Sequence, residues 1–289
     1  RKPRYNRRSR FPERGRWLKL TVEPAPRLSL VKEAKEDSDA GAVYLGPISR
    51  RVADDVVEVM QLAVSLRTCA ERLTTRSRRN PCGLHALGRC AAPCLGGEAV
   101  DDYQTAVADA RTVLTSDTTR ATEAVMSKIS SLSSGQRYEE AATWLNRLKT
   151  FLRVLDRTQQ RQALADLGEV VAAEPVDGGW HIHVIRYGRL AGAAVSEPGS
   201  DARSVMTALL ATADHVERPA GPGTASLAEE ADLILSWLDS TDVRVIAMER
   251  PWAYPIGSAA RDRHALTTDA SGVSRRHADP TLEDVARPA

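Results

Sequence analysis

Aromatic residues are scarce in this chain, since phenylalanine, tryptophan and tyrosine together make up 4% of its 289 residues. The aliphatic residues must therefore fill most of the interior, and a hydrophobic content of 42% suffices for two or three compact domains. No apolar stretch reaches the roughly 20 residues that a membrane-spanning helix needs, and no apolar segment precedes a small-residue cleavage site. The sequence therefore predicts a cytosolic protein with no membrane partner.

An excess of one charge is also absent, because 40 Lys and Arg stand against 38 Asp and Glu. The distribution is uneven, however, since eight of the first sixteen residues are basic and only Glu13 is acidic. Such a segment is typical of polyanion binding, and the alternative is a basic tail without a partner. The basic residues that we expect to contact DNA phosphates are Arg4, Arg7, Arg8 and Arg10.

Cysteine is equally scarce, but all four cysteines fall within 26 residues, with the spacing C-x12-C-x7-C-x3-C. In a reducing cytosol, clustered thiols are better explained as metal ligands than as disulfides. Four thiolates suit either tetrahedral zinc or an iron-sulfur cluster. The candidate metal ligands are Cys69, Cys82, Cys90 and Cys94.

The spacing of these cysteines favours iron-sulfur over zinc. Zinc sites usually pair their cysteines in two closely spaced knuckles, whereas only Cys90 and Cys94 are close here. Pro81 and Pro93 each precede a cysteine, and nearby glycines suit a loop that wraps a cluster. Zinc and unligated buried thiols remain the alternatives.

The hydrophobic patterns predict an α+β protein in several parts. Apolar residues at helical spacing from Val52 lead into the cysteine segment, and a hairpin of two helices follows with Gly135 at its turn. Alternating residues on both sides of Tyr187-Gly188 predict a β-hairpin. The predicted parts are 1–50 (end of a small α+β domain), 51–116 (cysteine segment and helices), 117–165 (helical hairpin), 166–255 (small α/β region) and 256–289 (disordered tail).

Three motifs resemble those of one known family, in that family's order. They are Leu66-Arg67-Thr68-Cys69 with Asn80-Pro81-Cys82 and residues 87–96, then Lys2-Pro3-Arg4-Tyr5-Asn6 with Tyr44-Leu45-Gly46-Pro47 upstream, and Arg137-Tyr138-Glu139-Glu140-Ala141-Ala142 downstream. Together they resemble the UvrC family of excision-repair nucleases over residues 1–195. The resemblance implies a [4Fe–4S] cluster on the four cysteines.

The upstream motif resembles the end of a GIY-YIG nuclease domain, so residues 1–50 are expected to be its C-terminal remnant. The resemblance assigns Asn6 to the catalytic site, where it would line the scissile phosphate and Mg²⁺. That chemistry also needs an arginine and a glutamate to neutralise charge and hold the metal, and in the family those groups precede the asparagine. We therefore expect a segment of a longer protein, which binds DNA without cutting it by itself.

The downstream motif resembles the UVR helical hairpin, through which UvrC pairs with UvrB. The residues that would contact a UvrB-like partner are Tyr138, Glu139, Ala141 and Ala142. Leu145-Asn146 stands where the family usually has Arg-Asp, so the match is partial. Tyr138, Ala141, Ala142, Leu145 and Leu148 can still form an apolar stripe, and the alternative is that this stripe packs the hairpin against its own domain.

Neither the RNase H-like second nuclease nor the helix-hairpin-helix motifs of full-length UvrC is recognisable in the remaining residues. This truncation resembles a shorter class of UvrC homologues, in which the UvrC-like region follows a DnaQ-type 3′–5′ exonuclease. His181 and His183 share one strand face but lack a third ligand, so an exposed strand face is favoured over a metal site. Two functions follow from the sequence. One is a DNA-repair nuclease, and the other is a non-catalytic adaptor that tethers an exonuclease to DNA or UvrB.

Overall fold

The computed structural model describes residues 15–34, 41–74 and 76–276, with side chains described as far as residue 267. Two antiparallel sheets and eight α-helices form in these ranges, which confirms the α+β class. The strands are β1 (Arg16–Leu20), β2 (Leu28–Val31), β3 (Val43–Ile48), β4 (Glu169–Val176), β5 (Gly179–Arg186), β6 (Arg189–Ser196) and β7 (Arg244–Met248). The helices are α1 (Arg50–Ala63), α2 (Gly83–Ala86), α3 (Glu98–Thr115), α4 (Thr119–Ser134), α5 (Tyr138–Asp166), α6 (Ala202–Thr212), α7 (Ala228–Leu238) and α8 (Ala259–Arg276).

The first sheet has the order β2-β1-β3, with both neighbours antiparallel to the central strand. Alternation along β1 buries Leu18 and Leu20 towards the helices. β2 has only four residues, so its pattern was too short to predict a strand from the sequence. Helix α1 starts directly after this sheet, where the Ser49 side chain accepts a hydrogen bond from Val52 N at 3.4 Å.

One core joins this sheet to helices α1, α3, α4, α5 and α8. Its fully buried members include Met60, Tyr103, Phe151 and Leu155, each of which has no exposed surface. The predicted parts 1–50, 51–116 and 117–165 therefore share one hydrophobic interior. As a consequence, the loops between α1 and α3 are anchored at both ends.

The predicted helical hairpin is formed by α4 and α5, and its turn differs in one detail from the prediction. Gln136, with φ 59°, takes the left-handed conformation, whereas Gly135 has φ −85°. Arg137 N donates to Leu132 O at 2.8 Å, and Gln136 N donates to Ser133 O at 3.0 Å. This pair of hydrogen bonds is the Schellman arrangement that ends a helix.

The second sheet has the order β6-β5-β4-β7 and is covered on both faces. Val170 and Ile185 face α7, whereas Val171 and Val184 face α6. The predicted β-hairpin is confirmed as β5 and β6. Tyr187-Gly188 has positive φ at both residues, as a two-residue turn of type I′ requires.

The predicted disordered tail differs from the structure, because residues 259–276 form α8 on the surface of α5. Asp262 is buried, and its Oδ2 accepts hydrogen bonds from the hydroxyls of Thr118 and Thr122, both at 2.8 Å. Ala259 and Leu266 add apolar contacts to the core. A helix anchored by a buried carboxylate shows little hydrophobic periodicity, which explains why the sequence pattern did not predict it.

None of the helices in the described ranges combines the length and apolarity needed to span a bilayer.

Candidate metal centre and the loops that hold it

The four cysteines lie in the irregular segment between α1 and α3, residues 64–97, which also contains the short helix α2. Two backbone hydrogen bonds fold this segment onto itself. Ala91 N donates to Ser65 O at 2.9 Å, and Arg79 N donates to Cys94 O at 2.8 Å. Residues far apart in the loop are thereby brought to one end of the helical core.

The cysteines differ in exposure, and all four are free thiols. Cys90 is buried, Cys94 is half-buried, and Cys69 and Cys82 are exposed. Burial raises the pKa of Cys90, and negative charge on Cys82, Cys69 and Cys94 acts in the same direction. The three other thiols therefore lie within electrostatic range of Cys90. Among the described residues, no group of three or more His, Cys, Asp or Glu side chains is arranged so that it could hold a metal ion.

Backbone conformations that favour glycine shape the turns around these thiols. Gly88, Gly96 and Gly97 have φ values of 66°, 73° and 58°, and Ala92 has φ 49°. At Gly96 the chain passes so near Ser77 O that a Cβ atom would collide with it. The glycine signal in the sequence therefore does correspond to tight backbone approaches in the loop.

Arg67 is the buried centre of the loop network, with 2% of its surface exposed. Its Nε donates to Ala25 O at 2.7 Å, and its NH1 donates to Glu71 O at 2.7 Å and to Cys69 O at 3.1 Å. NH1 also lies 3.4 Å from Cys69 Sγ, and NH2 lies 3.0 Å from Glu23 Oε1. One guanidinium thus ties the first cysteine to the β1–β2 loop.

Tyr103 of α3 is hydrogen-bonded to the same network through its hydroxyl group. Its hydroxyl accepts a hydrogen bond from Arg67 N at 3.0 Å and donates one to Pro26 O at 2.6 Å. Burial raises the pKa of Tyr103, so the phenol stays protonated and can donate. The cysteine segment is therefore fixed on α3 as well as on the first sheet.

Exposed arginines crowd the same segment, and the motifs and spacings in the sequence did not single them out. Residues 67–89 contain six arginines and one acidic residue, Glu71. Except for the buried Arg67, these arginines are exposed, namely Arg72, Arg76, Arg78, Arg79 and Arg89. A count of local charge around the cysteines would have revealed them.

The predicted partner-binding residues lie at the tip of the α4–α5 hairpin, and the structure exposes only some of them. Tyr138 is 64% exposed, and Glu139 and Ala142 are exposed beside it. Ala141 is buried, as is Leu148 one turn further on from the half-buried Leu145. The tip therefore presents one large aromatic side chain to solvent while the rest of the stripe packs inwards.

The two strand histidines lie under α7. The His183 ring packs edge-on against Trp237, with centroids 4.6 Å apart, and burial lowers the pKa of His183. His181 Nδ1 lies 3.9 Å from Glu174 Oε1, and Trp237 Nε1 donates to Glu174 Oε2 at 2.9 Å. This strand face is therefore partly covered, whereas the sequence analysis favoured an exposed one.

The predicted catalytic Asn6 and the predicted DNA-binding Arg4, Arg7, Arg8 and Arg10 lie outside the described residues.

Comparison with known proteins gives one family-model match, "UvrC/Cho excinuclease, middle domain", over residues 16–113. A Mycobacterium tuberculosis (strain CDC 1551 / Oshkosh) protein, MT2247, whose name describes it as a bifunctional exonuclease/endonuclease, is 32% identical over 289 residues, which cover 99% of this chain and 43% of that protein. UvrABC system protein C of Methylobacillus flagellatus is 29% identical over 188 residues, covering 63% of this chain and 30% of the relative. The corresponding protein of Anaeromyxobacter dehalogenans (strain 2CP-1) is 33% identical over 172 residues, covering 58% and 24%.

The chain thus spans less than half the length of these relatives. No solved structure matches it significantly. The region matched by the family model runs from β1 almost to the end of α3 and so contains the whole cysteine segment with its Arg67 network.

Proposed function

We propose that this chain is the DNA-binding part of a UvrC-like DNA-repair nuclease, because residues 16–113 match the UvrC/Cho excinuclease middle-domain family. The family match across the cysteine segment carries the proposal. The similarity to a protein named for exonuclease and endonuclease activity, over nearly the whole chain, supports it. In the intact protein, Asn6 would line a Mg²⁺-dependent site for phosphodiester cleavage.

The cysteine segment is proposed to hold a [4Fe–4S] cluster, with zinc as the alternative metal. Four free thiols from one loop segment are the thiolate set that such a cluster requires, and because their side chains are not arranged to hold a metal in this structure, cluster binding would have to draw them together. Arg67 NH1 and Ala92 N, each 3.4 Å from a cysteine sulfur, are donors of the kind that tune such ligands. A bound cluster would supply a redox-active bridge between the loops.

The DNA-binding proposal is tested by affinity as a function of salt. We expect the 289-residue chain to bind a short labelled duplex with an affinity that falls steeply between about 50 and 200 mM salt, because each neutralised phosphate contributes a slope of about −0.9. Fluorescence anisotropy at several salt concentrations gives this slope. Absence of binding at the lowest salt concentration, by a chain that is folded by circular dichroism, would contradict the proposal.

A second candidate function, a non-catalytic adaptor, is favoured by the exposed hairpin tip. Tyr138, at the start of α5, is 64% exposed although it is large and aromatic, and such side chains are enriched at protein interfaces. The adaptor would pair this tip with a UvrB-like protein and so tether the exonuclease of the longer protein.

For this candidate, Tyr138→Ala is expected to weaken capture of purified UvrB by at least about tenfold, as loss of an aromatic anchor worth about 2 kcal/mol would do. Thr143→Ala, on an exposed position of the same helix, is the matched control. Titration calorimetry with each variant gives the comparison. Equal affinity of both variants and the parent chain would exclude the hairpin tip as the contact.

A further inference from the structure

We propose that three exposed arginines of the loop between Cys69 and Cys82 form a second phosphate-binding surface, which the cysteine segment holds in shape. They are Arg72, Arg76 and Arg78, here called the arginine loop. This inference rests on the proposed DNA binding and adds a named contact surface to it. It assigns the bound chemistry as the sugar-phosphate backbone of a nucleic acid.

The first argument is uncompensated charge. Arg79 forms an ion pair with Glu71, and Arg89 lies 3.9 Å from Glu58. Within the described ranges, by contrast, no acidic group forms an ion pair with a side chain of the arginine loop. Three guanidinium groups on one short loop therefore carry a local positive potential that attracts a polyanion.

The second argument is that the backbone of this loop is tied down. Ser77 N donates to Thr74 O at 3.0 Å, and Thr74 N donates to Ser77 Oγ at 2.9 Å, which closes a tight turn. Arg79 N donates to Cys94 O at 2.8 Å, and Gly96 packs closely against Ser77. The backbone on either side of the guanidinium groups thus has fixed hydrogen-bond partners, which reduces the entropy lost on binding.

The third argument concerns the kind of contact. Arginine binds phosphate through two parallel hydrogen bonds, and its charge persists at every physiological pH. The residues between Cys69 and Cys82 include no Phe, Tyr, Trp or His, so the arginine loop itself has no aromatic ring on which a base could stack. The expected interaction is therefore with the backbone and does not depend on base sequence.

The test compares two triple variants of the full chain with equal loss of charge. The first is Arg72→Gln, Arg76→Gln and Arg78→Gln. The matched control replaces three exposed arginines in the part of the chain that contains the second sheet, with Arg189→Gln, Arg203→Gln and Arg218→Gln. Anisotropy with one labelled duplex at several salt concentrations measures affinity and slope for each.

We expect the arginine-loop variant to lose about two to three units of salt slope, equivalent to about 100-fold weaker binding near 0.15 M salt, whereas the control keeps the parent slope. An unchanged slope in the arginine-loop variant overturns this inference while leaving the proposed DNA binding intact. If the parent chain itself fails to bind DNA, both proposals fall. Thermal unfolding of both variants should match the parent, because the replaced side chains are exposed.

Two further readouts separate a nucleic-acid surface from other partners. Poly-glutamate at equal charge concentration should compete poorly with the duplex, and equal competition would overturn the assignment to a phosphate backbone. Duplexes of unrelated sequence should bind within about threefold of one another, because phosphate contacts carry no sequence information directly. Strong sequence preference that disappears in the arginine-loop variant would overturn the backbone-contact assignment.

Discussion

Replacing Arg67 by methionine is expected to destabilise the folded chain by about 3–5 kcal/mol, because removal of one partner leaves a buried ionic network uncompensated. The residue has 2% of its surface exposed, and its guanidinium satisfies the carbonyl oxygens of Ala25, Cys69 and Glu71. Glu23, whose side chain is only 24% exposed, would lose the nearer of its two cationic neighbours and keep Arg27 at 3.7 Å. Methionine fills a similar length but donates no hydrogen bond to any of these groups.

Urea unfolding followed by circular dichroism measures this loss as a lower midpoint with an unchanged slope. Arg120→Met is a suitable control, because Arg120 also pairs with a carboxylate, that of Asp109, but its side chain is 56% exposed, so its removal should cost no more than about 1 kcal/mol. A destabilisation of less than about 1 kcal/mol would show that the buried network contributes little.

Elements of this fold that depend on neighbouring residues could be predicted from the sequence, because the patterns that determine them span only a short stretch of chain. The β-hairpin of β5 and β6 follows from alternation and from the Tyr187-Gly188 turn, and both conditions are met in the structure. The helical hairpin follows in the same way from two amphipathic stretches. The exact left-handed residue was not predictable, since Gln136 takes that conformation beside a glycine that does not.

Elements stabilised by contacts with residues far away in the sequence could not be predicted. Helix α8 depends on Asp262, which binds threonine hydroxyls about 140 residues away in the sequence. The sequence of residues 256–276 gives no sign that Asp262 will lie beside Thr118 at the N-cap of α4 and Thr122 within α4. β2 likewise gains its stability from pairing with β1, and not from its own four residues.

The candidate site shows the same division. The cysteine spacing identified the segment, and the glycines favoured a loop that could wrap a cluster. Gly88 and Gly96 do adopt positive φ values there, while the cluster itself stays a prediction. The role of Arg67 could not be inferred, since an arginine beside a cysteine is ordinarily expected on the surface. Its burial results from Tyr103 and the β1–β2 loop, which lie 36 and about 42 residues away in the chain.

Cys90→Ser is expected to remove nearly all iron and visible absorbance from the anaerobically purified chain, if the proposed cluster is present. A serine hydroxyl is a hard, protonated ligand and replaces a soft thiolate poorly. Cys90 is the most buried of the four thiols, with 8% exposed, so no other group can easily take its place. Leu87→Ser, at a position that is 71% exposed in the same segment, introduces the same hydroxyl and should retain the iron.

The four single Cys→Ser variants together separate three explanations of the cysteine segment. A shared cluster predicts loss of iron and a lower melting temperature in every variant, including Cys82→Ser, although Cys82 is exposed. Zinc predicts the same pattern with stoichiometric zinc and no visible absorbance in the parent chain. Unligated thiols predict that only the buried Cys90→Ser is destabilised, by about 1–3 kcal/mol, while the exposed Cys69→Ser and Cys82→Ser behave as the parent chain does. The response of the exposed cysteines therefore decides the question, because burial alone explains an effect at Cys90 but cannot explain one at Cys82.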